Sequence, residues 1–340
     1  MITLERIAIK ANVSVSTVSK ALSNHKAISQ KTKDRIRQIA DELGYTPNAN
    51  AQSLVNRRAN TIGVVYEVEF GLRNLFFTAV LEEFRKNAQL NGYDILLLSH
   101  NNEKNLDYLR HCQSKNVDGV LIVSIGNAPI EAIKKLTESN MAVITLDPLQ
   151  ADYNTIYSNS YQGIQSGCRH LYDLGHRKIA FINGSYTNLI GQERLKGYLD
   201  FMNEHGLSPI YNDDISNESY TFSEGYQTMK SLLAKYGQPD AIVCSSDLMA
   251  MGASTLLQKR GYKVPQDVSV IGFDNISVCE IATPRLTTIA QNYEEIGKKA
   301  WDLMICMLNN SSERKKEPII VDTELVIRES TTKKEFKKSI

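Results

Sequence analysis

Most of the chemistry this chain offers lies in short polar stretches that directly follow apolar runs: Asp147 after 142–146, Asn183-Gly184 after Ile182, Ser246-Asp247 close after Cys244, and Asp274-Asn275 after Phe273. A carboxylate accepts from two neighbouring hydroxyls at once, so Asp, Asn and Ser repeated at such places suit a polyhydroxyl ligand. One such Asp alone is ordinarily a turn or a helix cap. It is the recurrence that points to a ligand. The sequence holds no Gly-x-Ser-x-Gly, no Gly-x-x-x-x-Gly-Lys-Ser/Thr and no His-Glu-x-x-His, and its six histidines stand at no catalytic spacing, so no enzyme is expected.

The elements that must position these residues begin at Thr61. From there apolar runs alternate with helical periodicity, the mark of a parallel sheet wrapped by helices. Strands are expected at 62–66, 95–99, 119–123, 142–146, 179–182, 241–244, 269–272 and 319–326. Helices are expected at 75–90, 130–139, 161–174, 192–205, 223–235, 248–260 and 294–308. That is material for two doubly wound lobes, and in open parallel sheets ligands sit beyond the carboxyl ends of the strands.

The chain has 340 residues, enough for two or three domains. With 42% apolar and 23% charged residues it has the composition of a water-soluble protein. It contains no run of roughly 18 apolar residues, and Met1–Lys10 lack the apolar core of a signal peptide, so a cytoplasmic protein is expected. Cys112, Cys168, Cys244, Cys279 and Cys306 are scattered without a Cys-x-x-Cys pair, which fits reduced core thiols and predicts no metal and no cofactor. The net charge of +1 is divided unevenly. Residues 1–60 carry ten basic and four acidic side chains, a net +6, against −5 for the remainder. A basic head on an acidic body predicts that the head meets a polyanion.

Within the head, Thr3 is placed to cap a helix from Leu4 to about Lys10, and Ser14 to cap a second over Val15–Leu22. Two short helices joined by a tight turn make a helix-turn-helix. Ser29 is expected to cap a third helix through Leu43, with Ile36, Ile39, Ala40 and Leu43 on its inner face and Gly44 at its stop. Its other face carries Lys31, Lys33, Arg35 and Arg37, which suits either solvent or phosphate.

The run Ile-Ala-Ile-Lys-Ala-Asn-Val-Ser-Val-Ser-Thr-Val-Ser-Lys-Ala-Leu (7–22), followed by Leu-Gly-Tyr-Thr-Pro-Asn-Ala-Asn-Ala-Gln-Ser-Leu (43–54), resembles the DNA-binding head of the lac and gal repressor family. Almost the whole chain lies along that family's pattern. The resemblance implies a small all-α helix-turn-helix head plus an α/β core of two doubly wound lobes, similar to type I periplasmic binding proteins. By this resemblance residues 1–46 form the head, 47–60 a hinge, 61–331 the effector-binding and dimerising core, and 332–340 a basic tail. One lobe would comprise roughly 61–159 plus 290–318, and the other 160–289 plus 319–331.

The resemblance further implies that Val15, Ser16 and Lys20 face base edges, with Thr3, Thr17 and Ser19 at the backbone and Asn48, Ala51 and Leu54 in a hinge whose leucine wedges into the minor groove. Lys20 stands where most relatives have arginine, so a flexible point charge replaces a rigid fork. For the effector, the strand ends supply Asp147, Ser246, Asp247 and Asp274, and the resemblance adds Arg194, Tyr220, Phe76, Phe77 and Gln291, of which Phe77 reads as ordinary packing. Purine-responsive relatives carry arginine and threonine where Asn188 and Ile190 stand, which turns the expectation toward a sugar or phosphosugar. The expected function is a homodimeric repressor of sugar-utilisation genes on a palindromic operator, without a tetramerising coil. Two rival readings are control by a partner protein, as in catabolite control, and a cytoplasmic sugar receptor that regulates no DNA.

Overall fold

The computed structural model describes residues 2–45, 58–66, 74–98, 107–124, 130–146, 148, 154–212, 220–309 and 317–334. Asn48, Ala51, Leu54, Asp147 and most of the hinge reading lie outside these residues.

The head is three helices: α1 Leu4–Ala11, α2 Val15–Leu22 and α3 Gln30–Glu42. Ser14 Oγ accepts the Thr17 amide at 3.1 Å and Ser29 Oγ accepts that of Thr32 at 3.3 Å, so both serines satisfy an orphan donor of the helix they open. Thr3 departs from expectation. It occupies the cap position of α1, and its carbonyl accepts from Arg6, but its hydroxyl makes no capping bond. Ile7, Ala8, Ala11, Val18, Ala21, Ile36 and Ala40 form the buried centre.

The basic face of α3 is resolved residue by residue. Lys33 is buried and gives its ammonium to the Asn24 carbonyl at 3.2 Å, while Arg35 donates to the Ala11 carbonyl at the end of α1. These two cations close helix ends, where exposed carbonyls concentrate negative charge. Lys33 is therefore withdrawn from solvent, whereas Arg35 stays exposed together with Lys31 and Arg37.

Among the described residues the larger part of the chain carries two large sheets and one two-stranded sheet. The first has the order β2-β1-β3-β4, from β1 Thr61–Tyr66, β2 Asp94–Leu98, β3 Gly119–Ser124 and β4 Ala142–Thr145. Helices α4 Leu75–Leu90, α5 Tyr108–Ser114 and α6 Ile130–Thr137 follow in its connections. Phe84, Tyr93 and Trp301 centre its core, with the indole edge-on to both other rings at 5.6 and 5.3 Å.

The second sheet has the order β12-β10-β9-β8-β6-β7. Its strands are β6 Ile179–Ile182, β7 Ile210–Tyr211, β8 Ala241–Cys244, β9 Ser269–Asp274, β10 Thr287–Gln291 and, antiparallel at one edge, β12 Thr323–Val326. Helices α7 Ser160–Asp173, α8 Leu189–Glu204, α9 Phe222–Tyr236 and α10 Asp247–Lys259 wrap it. The completely buried run Ile179–Ile182 reads as continuous apolar sequence because both faces of a parallel sheet are covered. A parallel pair, β5 Ile156–Ser158 with β11 Ile319–Val321, forms a sheet of its own. Helix α11 Tyr293–Asn309 returns the chain to the first lobe, where it packs on α4.

The expected strand 319–326 is two strands in two sheets, broken at Asp322 where the chain changes partner from β5 to β10. Strands β5, β7 and β10 and helix α5 were not anticipated. Five residues or fewer per strand leave little periodicity to read. Residues 328–334 are laced onto the second lobe: Val270 N–H donates to the Ser330 carbonyl at 2.8 Å, and Thr332 N–H to Ser269 Oγ at 3.1 Å. Lys334 pairs with Asp240 there.

Candidate functional site

On α2, Val15, Ser16 and Lys20 are exposed, while Val18 and Ala21 face the head's core. Thr17 and Ser19 are half-buried. Ser14 Oγ lies 2.9 Å from Ser16 Oγ and 2.8 Å from Thr17 Oγ1, so the hydroxyls at the start of the helix form one network with the cap at its centre. Thr3 is exposed at the start of α1.

In the second lobe the strand ends bring part of the expected set together. Arg194 comes from α8, with its guanidinium buried. Its Nε donates to Ser160 Oγ at 3.3 Å, its Nη1 to the Ser245 carbonyl at 2.5 Å, and its plane lies 3.8 Å from the centre of the Phe273 ring. Tyr220 is the next ring, 5.7 Å from the same guanidinium. Its ring lies against Gly184, where a Cβ would come within 2.1 Å of the ring carbons, so any larger residue at this strand end would displace Tyr220. Asn188 caps α8 through the Gly191 amide at 2.7 Å and accepts the Tyr220 hydroxyl at 3.3 Å.

Asp274 ends β9 in a left-handed conformation, φ +117°, and accepts Gln291 Nε2 at 2.6 Å from the end of β10. Burial holds its carboxyl above the ordinary carboxylate range. The Arg194 charge opposes that shift and the Asp247 charge adds to it. Across from this cluster, Phe76 stands in the first turn of α4, which Asn74 caps through the Phe77 amide at 3.1 Å. Phe76 packs against the cores of both lobes, whereas Phe77 packs against the first lobe alone. Phe76 thus bridges the hydrophobic cores of the two lobes.

Three other polar groups at strand ends turn inward. Asn183 is fully buried and knots its loop: its Nδ2 donates to the Ser185 carbonyl at 2.7 Å, and its Oδ1 accepts from Gly184 N–H and Ser245 Oγ, both at 3.0 Å. Ser246 caps α10 by accepting the Met249 amide at 3.2 Å, and donates to the Tyr220 carbonyl at 3.0 Å. Asp247 is buried with its carboxylate occupied by protein donors, the Ile276 amide at 2.9 Å and the Thr288 hydroxyl at 2.5 Å. Ser246 and Asp247, both expected in the effector set, thus make their described side-chain hydrogen bonds to protein groups.

Ser160, Ser245 and Phe273, which hold Arg194, were not anticipated. Only Phe273 carried a signal, an aromatic directly before a strand-end Asp. Among the described residues no group of three or more His, Cys, Asp or Glu side chains could hold a metal, and no helix is long and apolar enough to cross a membrane.

Residues 3–48 match the model of bacterial regulatory proteins of the lacI family, and residues 168–331 that of a periplasmic binding protein-like domain. The probable HTH-type transcriptional repressor ExuR of Bacillus subtilis (strain 168) is 32% identical to this chain, over 97% of it and 98% of that protein. The chain belongs to the LacI family of bacterial regulatory proteins. Another relative, the ribose operon repressor of Haemophilus influenzae, is 32% identical over 97% of this chain and 98% of its own. The fold matches that of the lac repressor dimer bound to operator and the anti-inducer ONPF, with a TM-score of 0.83 at 24% identity over 97% of this chain and 99% of the other. The LacI-family fold expected from the sequence, a helix-turn-helix head with a two-lobed parallel-sheet core, is the one observed.

Proposed function

We propose that this LacI-family protein is a transcriptional repressor that holds a palindromic operator as a homodimer and answers to a carbohydrate bound between its lobes. One observation carries the reading. The same chain presents Val15, Ser16 and Lys20 outward from a basic head and, in its larger part, a buried arginine beside a carboxylate and two aromatic rings. The exposed α2 side chains supply apolar and charged contacts of the kind that read major-groove edges. Thr3, Thr17 and Ser19 are assigned to the sugar-phosphate backbone, and Asn48, Ala51 and Leu54 to the hinge and minor groove. Arg194, Asp274 and Gln291 supply donors and an acceptor for sugar hydroxyls, while Tyr220 and Phe76 give the apolar faces of a sugar ring a surface to rest on. Asp147 is assigned to the opposite wall.

A head of this size binds a half-site, and twofold pairing makes the operator palindromic. Ligand binding in the cleft is proposed to change operator affinity by about 5–150-fold, the usual range for coupling of ~1–3 kcal/mol. The role involves no catalytic step, and its place is the cytoplasm, with the DNA.

The test is selection of duplexes from a random pool by the full-length protein, run with and without the sugars that stabilise it in a thermal-shift screen of neutral sugars and phosphosugars. A sugar at 100 times its dissociation constant should add about 2.7 kcal/mol to the stability of the core. Failure to enrich any duplex at moderate ionic strength, with or without sugar, would overturn the reading.

A further inference from the structure

Asp247 is a fully buried strand-end carboxylate whose hydrogen bonds run to the turn that carries Asp274 and to the strand that carries Gln291. Its Oδ2 accepts the Ile276 amide at 2.9 Å and its Oδ1 the Thr288 hydroxyl at 2.5 Å, and the Asn275 amide and the Cys279 thiol also donate to it. It is fully buried at the first turn of α10, where the helix N-terminus favours a negative charge. Its four donors come from the turn after β9, from the short 3₁₀ helix Ser277–Glu280, and from β10.

The turn that these bonds hold is Asp274-Asn275, whose φ angles of +117° and +63° are conformations that side-chain-bearing residues seldom adopt without outside support. Thr288 lies on β10 three residues before Gln291, the residue that binds Asp274 from the side. Strand β9 makes room for the carboxylate: a Cβ at Gly272 would stand 2.2 Å from Asp247 Oδ1.

We infer that Asp247 is a positioning residue for effector recognition, its carboxylate fixing the Asp274 turn and the Gln291 strand end in the arrangement that meets the ligand. It acts through other residues, so its removal changes the geometry and the electrostatics of Asp274 without removing a ligand contact. The inference rests on the carbohydrate reading of the cleft for its functional consequence, but not for its structural content.

The test compares the full-length wild type with Asp247→Asn, which keeps the shape while replacing an acceptor oxygen by a donor and deleting the charge. Thr288→Val is the milder second variant should the first fail to fold. Hydrogen exchange is expected to speed up about tenfold or more at the Asn275 and Ile276 amides while β6 and β8 keep their protection, a change on the scale of one lost hydrogen bond to a charged group. The carboxyl titration of Asp274, followed by carbon NMR, is expected to move to lower pH. Among the described residues the charges acting on it are those of Arg194 and Asp247, and the variant removes the repelling one.

Binding is read by calorimetry with D-ribose, D-glucose and D-galacturonate as probes. Affinity for whichever probe the wild type binds is expected to fall about tenfold or more, with operator affinity unchanged. Unchanged exchange and titration in both variants would overturn the inference, as would a uniform rise in exchange across the lobe, which marks a merely structural carboxylate. If no probe binds the wild type, it is the carbohydrate reading that fails, and the exchange and titration still decide the role of Asp247.

Discussion

The second helix of the head and the strand ends of the second lobe carry the two sets of residues assigned to function, and they present them in opposite ways. On α2 the assigned side chains stand outward from a helix whose other face is packed, and Lys20 is exposed at its last turn. At the strand ends almost every polar group is held by another. Arg194 is bonded to Ser160 and Ser245, Asp274 to Gln291, and Ser246 to Met249 and Tyr220. A surface that scans many duplexes gains from side chains that adapt. A cleft that distinguishes among similar small molecules gains from groups fixed before the ligand arrives. The contrast predicts that substitutions on α2 change recognition and leave stability alone, whereas those in the cleft change both.

The largest effect should come from Arg194→Ala. It strands two buried acceptors and removes the cation that opposes the burial of Asp274, so the lobe is expected to lose about 3 kcal/mol, seen as a lower unfolding midpoint in denaturant. Response to the effector should vanish while operator affinity in its absence persists. A variant of unchanged stability would show that the guanidinium is not held as described. Next in size is Lys20→Ala. It should relax discrimination at one base pair per half-site by about 1–3 kcal/mol, with stability changed by less than about 0.5 kcal/mol. An equal loss on all sequences would mean that Lys20 meets phosphate only, and would erase the contrast on the side of the head.

The same contrast explains what could be read from the sequence. Helix α2 was legible because capping, periodicity and exposure are all local: Ser14, Val18 and Ala21 stand at spacings that dictate which way Lys20 points. Many strands and helices of the lobes were legible from equally local signals, the helical period of 75–90 and the continuous apolar run 179–182. What escaped depended on partners distant in sequence. Asp247 and Asp274 look alike in the chain, each a short acid close after an apolar run. Only the arrival of Ile276 and Thr288 at one and of Gln291 at the other separates the residue proposed as a clamp from the one proposed to meet a ligand. Lys33 and Arg35 repeat the lesson in the head, where a basic face that suits phosphate is partly spent on the carbonyls of Asn24 and Ala11.

Smaller still is the effect expected of Ser29→Ala, which removes the cap of α3. It should lower the stability of the head by about 1 kcal/mol and leave the unfolding of the lobes where it is. Two transitions followed by separate probes, Trp301 fluorescence for the first lobe and amide signals of α3 for the head, would check this. If both transitions shift together, the head and the lobes do not unfold as separate units, and the comparison must be drawn between sites and not between regions.

The last prediction concerns acid, and it sets the second lobe apart by its histidines. His176 is buried and donates through Nε2 to the Thr332 carbonyl at 2.9 Å, because a carbonyl can only accept. The ring in its neutral form therefore carries its bare lone pair on Nδ1, which is buried and has no hydrogen-bond partner among the described residues. Protonation would put a donor where no acceptor waits. Burial accordingly lowers the pKa of His176, with the Thr332 carbonyl and Asp240 opposing, and burial lowers that of His170 beside Thr331 as well. For a group whose native pKa lies below its unfolded value, the unfolded chain binds the proton first, so stability falls as pH drops through about 6.5 and goes on falling until the native pKa is passed. Denaturant unfolding of the lobes measured from pH 8 down to pH 5 should show this slope, and His176→Gln should flatten it, because an amide in that place still donates to Thr332 but takes up no proton. A slope that survives in the His176→Gln, His170→Gln double variant would assign the acid sensitivity to other groups.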